Sequence, residues 1–157
     1  MGPREFCADV VEMNIADFHA NYADLRHAFN AVAAVDALAA HLCEWCRTNA
    51  PHELAGGDDT TYRALLAKRD SNFEMLRDVA KAHKHVRLTR GRPKVTLASQ
   101  TKSREVGYGE GGFGLGRFGG PEQVVIDDNG GHMHYVETVV DDALAFLRTE
   151  MGRLGVP

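Results

Sequence analysis

Apolar and aromatic residues recur at Phe18, Tyr22, Leu25, Phe29, Val32, Val35, Leu38, Leu42 and Trp45, each step being three or four positions. That period is one face of an α-helix, and it predicts a single long amphipathic helix over Glu12 to Arg47. Pro51 stops it, because proline has no N–H to donate and disfavours helical backbone in the residue before it. Gly56-Gly57-Asp58-Asp59-Thr60 then supplies a turn and an N-cap. A second helical region runs from Thr61 to Val86, with Tyr62, Leu66, Phe73, Leu76 and Ala80 on one stripe. Within it Asp70-Ser71-Asn72 marks a point of division, since short polar side chains compete for backbone hydrogen bonds and favour caps.

Beyond Gly91-Arg92-Pro93 the pattern shortens. Lys94 to Ala98 reads as a strand, and Val124 to Ile126 with His132 to Val136 reads as a β-hairpin closed through Asn129-Gly130. A last helix is predicted from Ala143 to about Arg153, with Leu144, Leu147 and Met151 on one face and Asp141 and Asp142 at its positive end. The expected fold is mainly α: an antiparallel helical bundle with a long first helix and a small β-hairpin before the C-terminal helix. It forms one domain over residues 1–157, with a helical core at 12–90, a glycine-rich loop at 105–121, and the hairpin plus last helix at 122–157.

Composition agrees with one globular domain: 157 residues, 44% hydrophobic and 25% charged, enough to bury a core without covalent staples. No apolar run approaches the roughly 20 residues of a membrane span, and Met1-Gly2-Pro3-Arg4-Glu5 does not open a targeting leader, so a cytoplasmic protein with no membrane partner is expected. Three cysteines, Cys7, Cys43 and Cys46, are expected as free thiols.

The net charge of −4 conceals a lopsided distribution. Between Val79 and Arg104 stand Lys81, Lys84, Arg87, Arg90, Arg92, Lys94, Lys102 and Arg104, with no acidic residue among them. Such a segment either forms a positive surface for phosphates, with RNA as the candidate partner, or is matched by the surplus acids elsewhere in the fold or across an interface. Both readings stand at this point.

Three further patterns carry candidate chemistry. Eight of the fourteen residues from Gly107 to Gly120 are glycine, a composition that predicts a flexible surface loop. Tyr108, Phe113, Arg117 and Phe118 within it would offer stacking surfaces to a single strand. Its glycine-x-glycine-x-x-glycine match implies neither a kinase nor a dinucleotide fold, because no lysine-bearing strand, catalytic loop or βαβ unit accompanies it, and no cofactor is expected. Cys43-Glu44-Trp45-Cys46 lies near a helix C-terminus, where the dipole disfavours a thiolate, so redox chemistry is not expected; zinc held by His41, Cys43, Cys46 and His52 lacks a second C-x-x-C. His132 and His134, alternate residues of a strand, share a face and form the other candidate metal pair.

Arg77, followed by the polar Asp78 and, after five intervening positions, by His83, resembles the Arg–His motif of the HEPN superfamily. The resemblance spans roughly residues 12 to 90 and implies a small helical bundle, a homodimer with a composite cleft, and metal-independent cleavage of RNA of the toxin–antitoxin or phage-defence kind, with an antitoxin or other protein partner. It implies His83 as the acid/base and Arg77 as the phosphate clamp. The chemistry is coherent: imidazole titrates near neutrality, and a fixed guanidinium stabilises a developing phosphorane. Asp78 and His85, seven residues apart and on one helix face, are supporting candidates. Six residues of ideal helix set Arg77 and His83 about 120° apart, which a dimer would have to bridge. A different class of function is equally open, in which the chain is a non-catalytic dimeric helical module, His83 is a core or interface residue, and Arg77, Lys81 and Lys84 are a solvated helix flank.

Overall fold

Pro3 opens the first helical turn, α1 (Pro3–Phe6), which runs through a π-turn at Cys7–Val11 into α2 (Glu12–Ala20). In the π-turn the Glu12 N–H reaches back five residues to the Cys7 carbonyl. The structure, a computed structural model, describes residues 1–54, 56–106 and 122–157. Residues 107–121 of the glycine-rich loop, with Tyr108, Phe113, Arg117 and Phe118, therefore lie outside the described residues.

The single long helix expected over Glu12 to Arg47 is two helices. The chain turns at Asn21–Asp24, and α3 runs from Leu25 to Asn49. The Asp24 carboxylate is the cause: it accepts the N–H groups of Arg26 at 2.8 Å and His27 at 3.1 Å, satisfying two orphan donors at a new helix start. The core face of α3 is made largely of small residues, including Ala28, Ala31, Ala39, Cys43 and Cys46, around Val35 and Leu38.

Two capped helices follow, α4 (Asp59–Arg69) with Asp58 as its cap and α5 (Ser71–His85) with Asp70 accepting the Phe73 N–H at 2.7 Å. The division expected at Asp70 is present. After α5 the strand expected over Lys94 to Ala98 does not form. Its donors are already engaged: the Lys94 N–H by Asp78, and the Thr96 and Leu97 N–H groups by the Gln100 Oε1 at 2.7 and 2.8 Å. Only an isolated bridge joins Arg87 to Leu97.

Strand β1 comes later, at Thr101–Arg104, and pairs antiparallel with β2 (Gln123–Asp127), which pairs antiparallel with β3 (Met133–Tyr135). β2 is the middle strand, and Val124, Val125 and Ile126 are all buried. The hairpin is where the pattern places it, but its positive φ falls at Gly131 (82°) rather than at Asn129-Gly130. The Asp128 carboxylate organises the turn by accepting the Gly130 and His132 N–H groups, each at 2.8 Å.

The last helix, α6, spans Val136–Leu154 and so begins seven residues ahead of Ala143. Its buried residues Val136, Val139, Val140, Ala143, Leu147 and Met151 keep helical spacing against α3 and α5, and this packing overrides the strand preference of the valines. Asp141 and Asp142 consequently sit inside the helix rather than before it. No helix among the described residues is long and apolar enough to cross a membrane.

Candidate functional site

Helix α5 ends on a strained residue. Val86 has φ 64° and ψ −44°, and the Arg87 N–H closes back on the His85 carbonyl at 2.7 Å, forming a γ-turn of the rare positive-φ kind. The chain leaves the helix abruptly there and runs out through Arg87, Arg90, Gly91 and Arg92. Gly91, with φ 78°, allows the reversal that presents Arg90 and Arg92 on either side of it.

The loop and the outer face of α5 enclose an open cavity of about 900 Å³. Arg77, Lys81, His85, Arg87, Arg90 and Arg92 all line it, against two carboxylates, Glu74 and Asp78. Neither carboxylate is free. Glu74 lies 3.3 Å from the Lys94 Nζ. Asp78, 3% exposed, accepts the Lys94 backbone N–H at 2.8 Å and the Arg77 guanidinium at 3.3 Å. Burial pushes the Asp78 carboxyl above its ordinary value, while the Lys94 N–H and Arg77 pull the other way.

The cations around the opening are of two kinds. Arg77 is largely buried, spends one nitrogen on Asp78, and keeps a buried Nε with no partner. Burial and the neighbouring Arg77 charge also lower the pKa of Lys81, against the pull of Asp78 and Asp36. By contrast Lys84, Arg87, Arg90 and Arg92 are exposed, and none of them makes an ion pair among the described residues. The other three basic residues of the segment are matched internally: Lys94 by Glu74, and Lys102 and Arg104 by Asp127 at 2.7 and 3.7 Å. The segment is thus divided into cations left exposed and cations matched internally.

A second hollow of about 210 Å³ continues from the first past Lys81 and His85, and Lys84 lines it. On its far side Arg63 is clamped between Asp36 and Asp59, and burial raises the Asp36 pKa against the pull of Arg63. Nothing in the sequence signals this pair, since Asp36 and Arg63 are 27 positions apart on different helices.

Arg77 and His83 do not line the larger cavity together. Arg77 faces the cavity, whereas the His83 ring stacks on Phe29 of α3, with centroids 3.8 Å apart and planes 14° from parallel. His83 is exposed there, not a buried core residue as its place on the apolar stripe would have it. Asp78 and His85 do line the same cavity as Arg77.

The candidate metal ligands named from the sequence form no group of three among the described residues. Among the described residues, one group of three or more His, Cys, Asp or Glu side chains has donor atoms within 4.8 Å of one another: His19, Glu137 and Asp141. His132 and His134 instead both approach Asp128, at 3.6 and 3.0 Å. Burial raises the thiol pKa values of Cys43 and Cys46, and Cys46 lies 3.9 Å from the Tyr62 hydroxyl.

Comparison with protein-family models, with curated proteins and with solved structures returns no match for this chain.

Proposed function

We propose that the cavity between α5 and the 86–93 loop binds the phosphates of single-stranded RNA. The observation that carries this is the imbalance at its rim: Arg87, Arg90 and Arg92 are exposed and make no ion pair among the described residues, while both carboxylates of the lining are already engaged. Uncompensated guanidinium groups on a concave surface attract a polyanion and offer bidentate donors to each phosphate.

The same cavity supports metal-independent endoribonuclease chemistry of the HEPN-like kind. Arg77, held by Asp78, would face the scissile phosphate, and a histidine would exchange the proton. Within one chain that histidine is His85; His83 would contribute only across the interface of a homodimer. The stacking of His83 on Phe29 favours the competing view that the protein binds RNA without cutting it.

Fluorescence anisotropy with a labelled single-stranded RNA across a salt series tests binding. Log affinity is expected to fall with log salt, by about 0.7 per phosphate contact, and Arg90→Ala with Arg92→Ala should flatten that slope. Binding that ignores both salt and the double substitution would sink the proposal. Incubation of the RNA in EDTA with wild type, Arg77→Ala, His83→Ala and His85→Ala then separates the two chemistries. Loss of cleavage in Arg77→Ala and His85→Ala assigns it to one chain's cavity, loss in Arg77→Ala and His83→Ala to a dimer, and no cleavage by wild type leaves a binding protein.

A further inference from the structure

Helix α2 meets the start of α6 along an apolar seam in which Ile15 and Phe18 of one helix and Val136, Val139 and Val140 of the other are buried. At its edge, half-buried, stand His19 from α2 and Glu137 and Asp141 from α6. Glu137 and Asp141 are four residues apart, so one helix face presents two carboxylates side by side, an arrangement that like-charge repulsion disfavours on its own. Asp142 adds a third negative charge beside them. The Nε2 of His19 is buried and makes no well-aligned hydrogen bond, although Asp141 Oδ1 lies only 3.2 Å away.

We infer that His19, Glu137 and Asp141 form a binding site for a divalent first-row cation, with zinc or cobalt as the fitting class. One imidazole nitrogen and two carboxylate oxygens are a donor set these ions accept. The 3.2 Å between His19 Nε2 and Asp141 Oδ1 is close to the edge of a tetrahedron, about 3.4 Å, built on metal–donor bonds of 2.0–2.2 Å. A cation there offsets the paired carboxylates and engages the buried His19 nitrogen, which has no hydrogen bond of its own. Three protein ligands leave a coordination position for water, the pattern of an open site rather than a closed structural one. The site is separate from the basic cavity, none of whose lining residues it shares.

The test is titration of the untagged, metal-stripped full chain with Co²⁺, read by visible absorption, and with Zn²⁺, read by calorimetry. One equivalent should bind with a cobalt d–d band. His19→Ala, Glu137→Gln and Asp141→Asn should each weaken binding at least 10-fold, while His132→Ala with His134→Ala leaves it unchanged. The isosteric Glu137→Gln and Asp141→Asn keep the test sound if His19→Ala fails to fold, as circular dichroism will report. No saturable binding at one equivalent, or binding that survives both isosteric substitutions, would overturn the site.

Discussion

The buried carboxylate of Asp78 accepts the backbone N–H of Lys94 at 2.8 Å, and through this bond helix α5 holds the far limb of the loop that walls the basic cavity. The hairpin tip grips the same limb from the other side, where the Asn129 side chain donates to the Pro93 carbonyl at 2.8 Å and to Thr96 Oγ1 at 2.7 Å. Asp78→Ala leaves the Lys94 donor and the Arg77 guanidinium without their acceptor and should cost about 2–3 kcal/mol, seen as a lower urea midpoint. Asp78→Asn keeps an acceptor for Lys94 and should recover most of that loss. Equal losses in both variants would locate the effect in the Arg77 charge instead.

Val86 sits at positive φ with its side chain 70% exposed, so the substitution that relieves its backbone removes little packing. The strain is worth about 1–3 kcal/mol, against about 0.5–1 kcal/mol for the extra freedom of glycine in the unfolded chain. Val86→Gly should therefore raise Tm by about 2–4 °C. A thermal melt showing no gain would mean that the γ-turn is relaxed in solution.

Glu150, nearly fully buried in α6, receives both terminal nitrogens of Arg69, at 2.5 and 2.6 Å, and the Nε of Arg153 at 3.0 Å, while Arg153 also binds Glu53 bidentately. This network ties α4, α6 and the turn at Pro51–Leu54 together. Breaking a buried ion pair costs about 3–5 kcal/mol, and Glu150→Ala should fall at the low end because Arg69 and Arg153, 44% and 39% exposed, can turn into water. Chemical denaturation with an unchanged m-value is the check.

Burial alone would raise the Asp128 pKa, but the His132 N–H, the His134 ring and the Gly130 N–H outweigh it and hold the carboxyl at about 2. A pKa depressed in the folded state contributes stability that is complete above the ordinary value of 3.8 and lost as pH falls through about 2. Asp128→Asn should thus be less stable than wild type near neutrality, with the gap closing between pH 4 and pH 2. A gap that stays constant over that window would remove Asp128 from the acid response.

The sequence was most informative where a single residue type decides the backbone. Asp70 divides two helices because a short carboxylate at that point caps the second, and the hairpin follows from its cluster of turn residues. It misled where periodicity runs through a break: Phe18, Tyr22, Leu25 and Phe29 keep helical spacing across the Asn21–Asp24 turn, so only the cap by Asp24 betrays it. The strand over Lys94 to Ala98 failed because its donors are claimed by Asp78 and Gln100, tertiary bonds that no local pattern reveals. At the site, the run of basic residues was legible, but its division into exposed cations and internally matched ones depends on partners such as Glu74 and Asp127, far away in the chain or in another element. The His19 group escaped notice for the same reason, since only the spacing of Glu137 and Asp141 is local.

The π-turn at Cys7–Val11 bears on which lengths of this N-terminal segment the fold accepts. Pro3, Cys7, Val11 and Ile15 are all buried at a strict spacing of four. On an ideal α-helix each such step drifts by about 40°, so three steps would carry Ile15 about 120° from Pro3. The wider turn winds back part of that drift and keeps all four on the core side. The π-turn holds one residue more than an α-turn over about the same rotation, so a chain one residue shorter between Cys7 and Val11 would form an unbroken α-helix with its buried residues spaced four, three and four, α1 still facing the core and Phe6 still on the His41 ring on which it stacks at 3.9 Å. Here the wide turn is a stored residue, and the segment tolerates the loss of one residue at that turn better than a loss anywhere else along α1 or α2, where each deletion turns the preceding helix by about 100°.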